Sequence, residues 1–221
     1  RHWPLFMGGG RRRQGEDRCF LEFCFVDDGS TDGTLALLRE LCRKHPEEDI
    51  HYVSFSRNFG KEAALYAGLE MAKGDYVVTM DADLQDPPEY IPLMYQTLRK
   101  GSMTVWHRRE DRKGEKKIRS FLSASFYKCI NRISKVKIEE GARDFRMMTR
   151  KMTDAVLALS ECNRFSKGLF GWVGFKTKWL PYHNVERAAG DTKWSIFKLF
   201  KYSWMGYWLF RLFLCQRRLT A

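Results

Sequence analysis

Between Phe20 and Trp106, runs of strand-forming residues alternate with segments of helical spacing. The strand-length runs are Phe20–Val26, Ile50–Phe55, Tyr76–Met80 and Met103–Trp106. Between them lie Thr34–Lys44, Lys61–Ala72 and a segment from Pro87 to Lys100. In the first of these, Leu35, Leu38, Leu41 and Cys42 recur with the period of one helix face. Alternation of this kind predicts an α/β domain with a mostly parallel central sheet flanked by helices. It also constrains where a ligand goes, because such sheets bind ligands beyond the carboxyl ends of their strands. Two strands end there in acid: the first in Asp27-Asp28 and the third in Asp81-Ala82-Asp83.

Composition narrows the class of partner. The 221 residues are 44% hydrophobic, enough for a core, which excludes disorder and a disulfide-stapled miniprotein. Lys and Arg exceed Asp and Glu by 39 to 27, a net charge of +12 that calls for a polyanionic partner: phosphates, nucleic acid or an anionic membrane. The six cysteines are scattered, without a C-x-x-C pair or zinc spacing, which fits reduced thiols. Residues 1–18, basic and Gly-rich, are expected to lack regular structure and show no apolar signal-peptide core. The apolar stretch Ser203–Cys215 is interrupted by Arg211 and falls short of the roughly 20 residues a membrane span needs.

The acidic strand ends carry the chemistry. Asp81 and Asp83, one residue apart where a chain leaves a strand, suit a hard divalent cation, with Gln85 able to add a carbonyl oxygen. In Asp27-Asp28-Gly29-Ser30-Thr31-Asp32-Gly33-Thr34, Thr31 or Asp32 is expected to satisfy N–H groups at the start of the next helix. That leaves Asp27 and Asp28 for a ligand. None of the five histidines stands in a triad-like setting.

Three stretches resemble signatures of family 2 inverting glycosyltransferases of the GT-A fold: Val26–Thr34, Ser56–Ala64 and Met80–Glu89. The last looks like the subgroup that glycosylates a polyprenyl phosphate, the dolichyl-phosphate mannosyltransferase-like and bactoprenol glucosyltransferase-like enzymes. Asp144-Phe145-Arg146, Arg164-Phe165, Gly171–Phe175 and Glu186–Ser195 agree with it. The match runs over about residues 22–203. The resemblance implies a transfer of a hexose from a UDP- or GDP-sugar to a polyprenyl phosphate, inverting and dependent on Mg²⁺ or Mn²⁺, at the cytoplasmic face of the membrane. It implies donor binding by Asp27, Asp28, Lys61 and Asp81, and a metal and diphosphate site of Asp81, Asp83 and Gln85. Arg109 and Arg112 match a loop that closes over donor and acceptor phosphates, and with Asp81 and Asp83 they are the catalytic candidates. Asp144, Arg146, Arg187 and Lys193 match positions on the acceptor-phosphate side.

The implied organisation is an atypical basic segment over 1–19, a GT-A catalytic domain over 20–193 and an amphipathic segment over 194–221. The last is expected to be a juxtamembrane helix: Lys198 and Lys201 reach anionic headgroups while Ile196, Phe197, Leu199 and Phe200 insert. The family pattern departs at both ends. Its first strand has no recognisable counterpart in residues 1–19, and its two spans after the Lys193 motif are not present. The expectation is therefore a core trimmed at both ends, with an exposed sheet edge, poorly stable or inactive alone. A soluble or polymeric sugar acceptor is the alternative within the same fold. Nucleic acid is the rival partner for the basic loop Arg108–Arg119, but no zinc-finger or RRM signature accompanies it and the acidic rim repels a phosphate backbone. Assembly into a homo-oligomer is left open.

Overall fold

The computed structural model describes residues 4–9, 20–81, 86–109, 131–132, 142–159 and 166–182. The chain order is β1 (Pro4–Gly9), β2 (Leu21–Asp27), α1 (Thr34–Lys44), β3 (Asp49–Ser54), α2 (Lys61–Met71) and β4 (Tyr76–Asp81). A 3₁₀ turn (Pro88–Tyr90) leads into α3 (Ile91–Arg99), followed by β5 (Thr104–Arg109) and β6 (Ala142–Thr149). Then come α4 (Arg150–Leu157), α5 (Ser166–Trp172) and β7 (Thr177–Tyr182).

Among the described residues seven strands join one sheet in the order β3-β2-β1-β4-β6-β5-β7. The β2/β3 and β5/β7 pairs are parallel, and the other four pairs are antiparallel. The expectation of a mostly parallel sheet is thus corrected to a mixed one. Strands β2, β3, β4, β5 and β7 do point the same way, but β1 and β6 run against them and interrupt the parallel pairing. The helical crossovers visible in the sequence fix only the relative direction of consecutive strands. They do not say which later strand inserts between them.

The N-terminal expectation is also corrected. Pro4–Gly9 is a strand, and it fills the place between β2 and β4, with Phe6 opposite Cys24 on one side and Thr79 on the other. The sheet therefore has no gap there. Gly8 and Gly9 are poor strand formers, so local propensity gives no sign of it. Main-chain pairing along both edges supplies what propensity does not, and Pro4, which has no N–H to donate, stands at the strand's first residue.

Among the described residues two apolar clusters pack against the sheet, one on each face. On one face Cys24, Val26, Val77, Trp106 and Met148 of the sheet meet Ala64, Leu65 and Leu69 of α2, Met152 and Val156 of α4 and Phe170 of α5. Burying a side chain such as Leu69 contributes roughly 1.5–3 kcal/mol. Burial, and then the neighbouring Glu22 carboxylate, push the Cys24 thiol up to about 12, so it packs here as a small neutral group. On the other face Val78, Met80, Val105, Phe145 and Met147 meet Met94 and Leu98 of α3. Helix α3 stops as its spacing predicts, at Gly101, whose φ is 95° and whose N–H donates to the Leu98 carbonyl at 3.0 Å. Helix α2 stops differently. Ala72 ends it in an extended conformation, and Arg150 of α4 donates to the carbonyls of Ala72 and Gly74. Among the described residues no helix is long and apolar enough to cross a membrane. The expected juxtamembrane helix over 194–221 lies outside the described residues.

Candidate active site

Strands β4 and β6 bring the central groups together. Thr79 is opposite Arg146 in their antiparallel register, so Asp81 and Asp144, each two residues further toward the rim, also fall opposite one another. With a period of two, all four residues share one face. Two carboxylates directly opposite on adjacent strands repel. The first residue of α2 resolves this. Lys61 Nζ lies 2.8 Å from both oxygens of Asp81 and 2.6 Å from Asp144 Oδ2. Burial alone would lower the Lys61 pKa, but the charges of Asp144 and then Asp81 outweigh it and hold the ammonium above its ordinary value.

Asp144 Oδ1 accepts a second charged hydrogen bond, 3.2 Å from Arg146 Nη2. Arg146 is fully buried. Its guanidinium is stacked between two rings, 4.2 Å from the Trp106 centroid and 3.9 Å from that of Phe170. Burial lowers its pKa, while Asp144 and then Glu62 oppose that shift. Trp106 is fixed in turn: its Nε1 donates to Thr104 Oγ1 at 2.8 Å, and its ring meets Trp179 edge to face at 5.0 Å. Glu62 Oε2 accepts from the Ser166 N–H at 3.0 Å and from the Ser166 hydroxyl, which ties α5 to α2. Thr79 Oγ1 donates to the Asp144 carbonyl at 2.5 Å. The result is a chain of charges, Asp81–Lys61–Asp144–Arg146, whose outer end is partly exposed and whose inner end is sealed in the core.

Asp27 and Asp28 sit on the same rim but are already engaged. Asp27 is fully buried, and its carboxylate accepts from the Ser30 N–H and the Ser54 hydroxyl, both at 2.9 Å. Asp28 Oδ1 accepts from the Phe59 N–H at 2.7 Å, and Oδ2 from the Gly60 N–H at 3.0 Å, so it holds the entrance of α2 and with it Lys61. Asp32 accepts from the N–H of Thr34 at 3.1 Å, as expected for the start of α1. Arg109 ends β5, and its backbone pairs with Tyr182. Asp83, Gln85, Arg112, Arg187 and Lys193 lie outside the described residues.

Sequence reasoning assigned Arg146 to an acceptor phosphate; the structure finds it fully buried, behind Asp144. It missed the Trp106–Phe170 clamp and the Glu62–Ser166 tie. Glu62 follows Lys61 within a motif already singled out, and that was the available signal. Phe170 had none, because its partner is 64 residues away (170 − 106).

The family model described as Glycosyl transferase family 2 matches residues 12–157. This chain belongs to that family. Curated relatives match over more of the chain than the family model does. A Synechocystis sp. protein called uncharacterized glycosyltransferase sll0501 is 41% identical over 191 residues, covering 86% of this chain and 59% of its own length. The prophage bactoprenol glucosyl transferase homolog of Escherichia coli K12 is 40% identical over 210 residues, covering 95% of this chain and 68% of its own. The bactoprenol glucosyl transferase of Shigella phage SfV is 39% identical over the same length, with the same coverage. The chain thus spans 59% to 68% of the length of these curated relatives.

Proposed function

We propose that this family 2 chain is the catalytic part of a glycosyltransferase that moves a hexose from a UDP- or GDP-sugar to a polyprenyl phosphate, with inversion, at the cytoplasmic face of a membrane. The observation that carries the reading is the Asp81–Lys61–Asp144 cluster at the carboxyl end of β4, in a chain whose relatives include proteins named for bactoprenol glucosyl transfer. The net charge of +12 fits a donor and an acceptor that both carry phosphate.

Oxygen-only donors suit the hard cation this family implies, and Asp81, with Asp83 and Gln85, would hold Mg²⁺ or Mn²⁺. Once bound, such an ion would neutralise charge developing on the diphosphate leaving group. The chain's own residues do the rest. Asp27 and Asp28 fix the two loops that line the donor side. Lys61, whose ammonium bridges Asp81 and Asp144, would exchange one of those contacts for a donor phosphate oxygen. An acceptor phosphate oxygen bonds to the anomeric carbon from the face opposite the diphosphate, whose bond to that carbon breaks, and configuration inverts. The acceptor phosphate is already anionic and needs cationic positioning more than a base; Asp144 is assigned to the acceptor side, and Arg146 fixes its orientation from below. Arg109 and Arg112 are assigned to the transferring phosphates, and Arg187 and Lys193 to the lipid phosphate beside the membrane. Trp194–Ser203 and the aromatic, basic residues after it are assigned to that surface.

The test is transfer of radiolabelled sugar from UDP- and GDP-hexoses to polyprenyl phosphate with Mg²⁺ or Mn²⁺. A lipid-extractable product is expected. Its failure to form from any common donor, in chain shown to be folded, overturns the proposal. Lys193→Ala is expected to reduce transfer to lipid phosphate more than hydrolysis of the donor.

A further inference from the structure

At the opposite end of the sheet from the acidic rim, β2 and β3 begin with a second group of ionisable side chains. Glu22 is opposite Asp49 and Cys24 is opposite His51 in the parallel register. Side chains two apart share a face, so Glu22, Asp49 and His51 converge. His51 Nε2 is 2.8 Å from Asp49 Oδ1 and 4.0 Å from Glu22 Oε1. One donor atom from each of the three residues lies within 4.8 Å of the others. Five residues along β2 separate this group from Asp27, about 16 Å of extended chain.

We propose that Glu22, Asp49 and His51 form a zinc-binding site, distinct from the acidic rim. Glu22 carries the argument. Its side chain is only 9% exposed, and Oε2 is held by the Lys73 N–H at 2.8 Å, so the carboxylate cannot swing to water. That locks Oε1 in place facing the imidazole. Two donors on a tetrahedral zinc, with bonds near 2.0–2.1 Å, stand about 3.3 Å apart. The observed separations of 2.8 and 4.0 Å bracket that distance. Binding then requires the half-exposed His51 and the exposed Asp49 side chains to adjust around the held Glu22 carboxylate. One imidazole nitrogen with two carboxylate oxygens is a donor set that zinc accepts, and water completes the fourth position. Each ligand stands on a strand whose main chain is already laddered, so the ordering that opposes binding is that of the His51 and Asp49 side chains. Bound zinc would clamp the edge strand β3 to β2 and, through Lys73, to the end of α2.

The experiment uses the whole purified chain, stripped with a chelator and titrated with zinc alone by calorimetry and thermal melting. One zinc per chain is expected. At a zinc concentration a hundred times its Kd the melting midpoint should rise by roughly 5–10 °C. His51→Ala, at a half-exposed position, should fold normally and lose that rise. Glu22→Gln keeps an acceptor for the Lys73 N–H and should weaken binding about tenfold or more. An unchanged shift in His51→Ala, or no zinc-dependent shift in the parent chain, overturns the proposal. Neither result bears on glycosyl transfer, which is measured separately.

Discussion

Replacing Gly29 by alanine tests how the two loops of the rim are built. Gly29 has φ 65°, a left-handed conformation that costs an L-residue roughly 1–2 kcal/mol. A Cβ there would also lie 2.3 Å from the Arg57 carbonyl carbon, 2.6 Å from its oxygen and 2.7 Å from its Cα. These are backbone atoms and cannot rotate away. Nor can the loop shift freely, because Asp28 holds the Phe59 and Gly60 N–H groups and Asn58 Nδ2 donates to the Asp28 carbonyl at 3.2 Å. Overpacking of this sort adds ~1–3 kcal/mol. The expected loss is therefore ~3 kcal/mol, a fall in melting midpoint of roughly 6–12 °C for a chain of this size. Two further glycines separate the contributions. Gly60 has φ 97° and ψ 163°, a region essentially confined to glycine, with open space where a Cβ would go, so Gly60→Ala should cost only the strain, ~1–3 kcal/mol. Gly33 has neither feature but is the N-cap of α1, so Gly33→Ala should cost no more than ~1 kcal/mol. Urea denaturation with an unchanged m-value is the assay. A Gly29→Ala chain as stable as Gly33→Ala refutes the close approach of the two loops.

Arg146→Met removes the charge while nearly keeping the volume. The hydrogen bond to Asp144 and the ring stacking are lost along with the cost of burying a guanidinium, and Asp144 keeps Lys61 as counter-charge, so the loss should stay below the roughly 3–5 kcal/mol of a buried pair broken outright. Turnover should nevertheless fall about a hundredfold in kcat with KM little changed, because Asp144 loses its orientation; a fall in KM-controlled binding alone would instead favour direct contact with the acceptor. Lys61 gives a signature at alkaline pH. Its folded pKa lies above the ordinary 10.5, so its stabilising contribution is complete below that value and is lost as pH rises beyond it. Melting curves of the parent should therefore converge on those of Lys61→Met above about pH 10.5, and parallel curves would contradict the assignment. Thr79→Val should cost about 1 kcal/mol through the lost bond to the Asp144 carbonyl, measured by the same urea titration.

The local elements were largely legible in the sequence, because hydrophobic period and turn chemistry act over a few residues. Helices α1 and α3, with the end of α3 at Gly101, follow from spacing and a glycine alone. The acidic residues at the ends of β2 and β4 follow from the same alternation. Helix α5 and strand β7 did not, since Gly171–Gly174 and Trp179 carry mixed local signals and are held by packing on Trp106.

What the sequence by itself determined is which residues carry charge and which stand at strand ends. The motifs selected Asp81, Lys61, Asp144 and Arg146 separately, and placed the chain in its family. Only the tertiary structure decided what they do to one another. An antiparallel register set two carboxylates face to face, a crossover helix brought Lys61 between them, and ring stacking drew Arg146 out of solvent. The same holds for Pro4–Gly9, whose glycines argue against a strand until two neighbours offer their backbones on either side. Long-range pairing and burial depend on partners dozens of residues away, which no local pattern records.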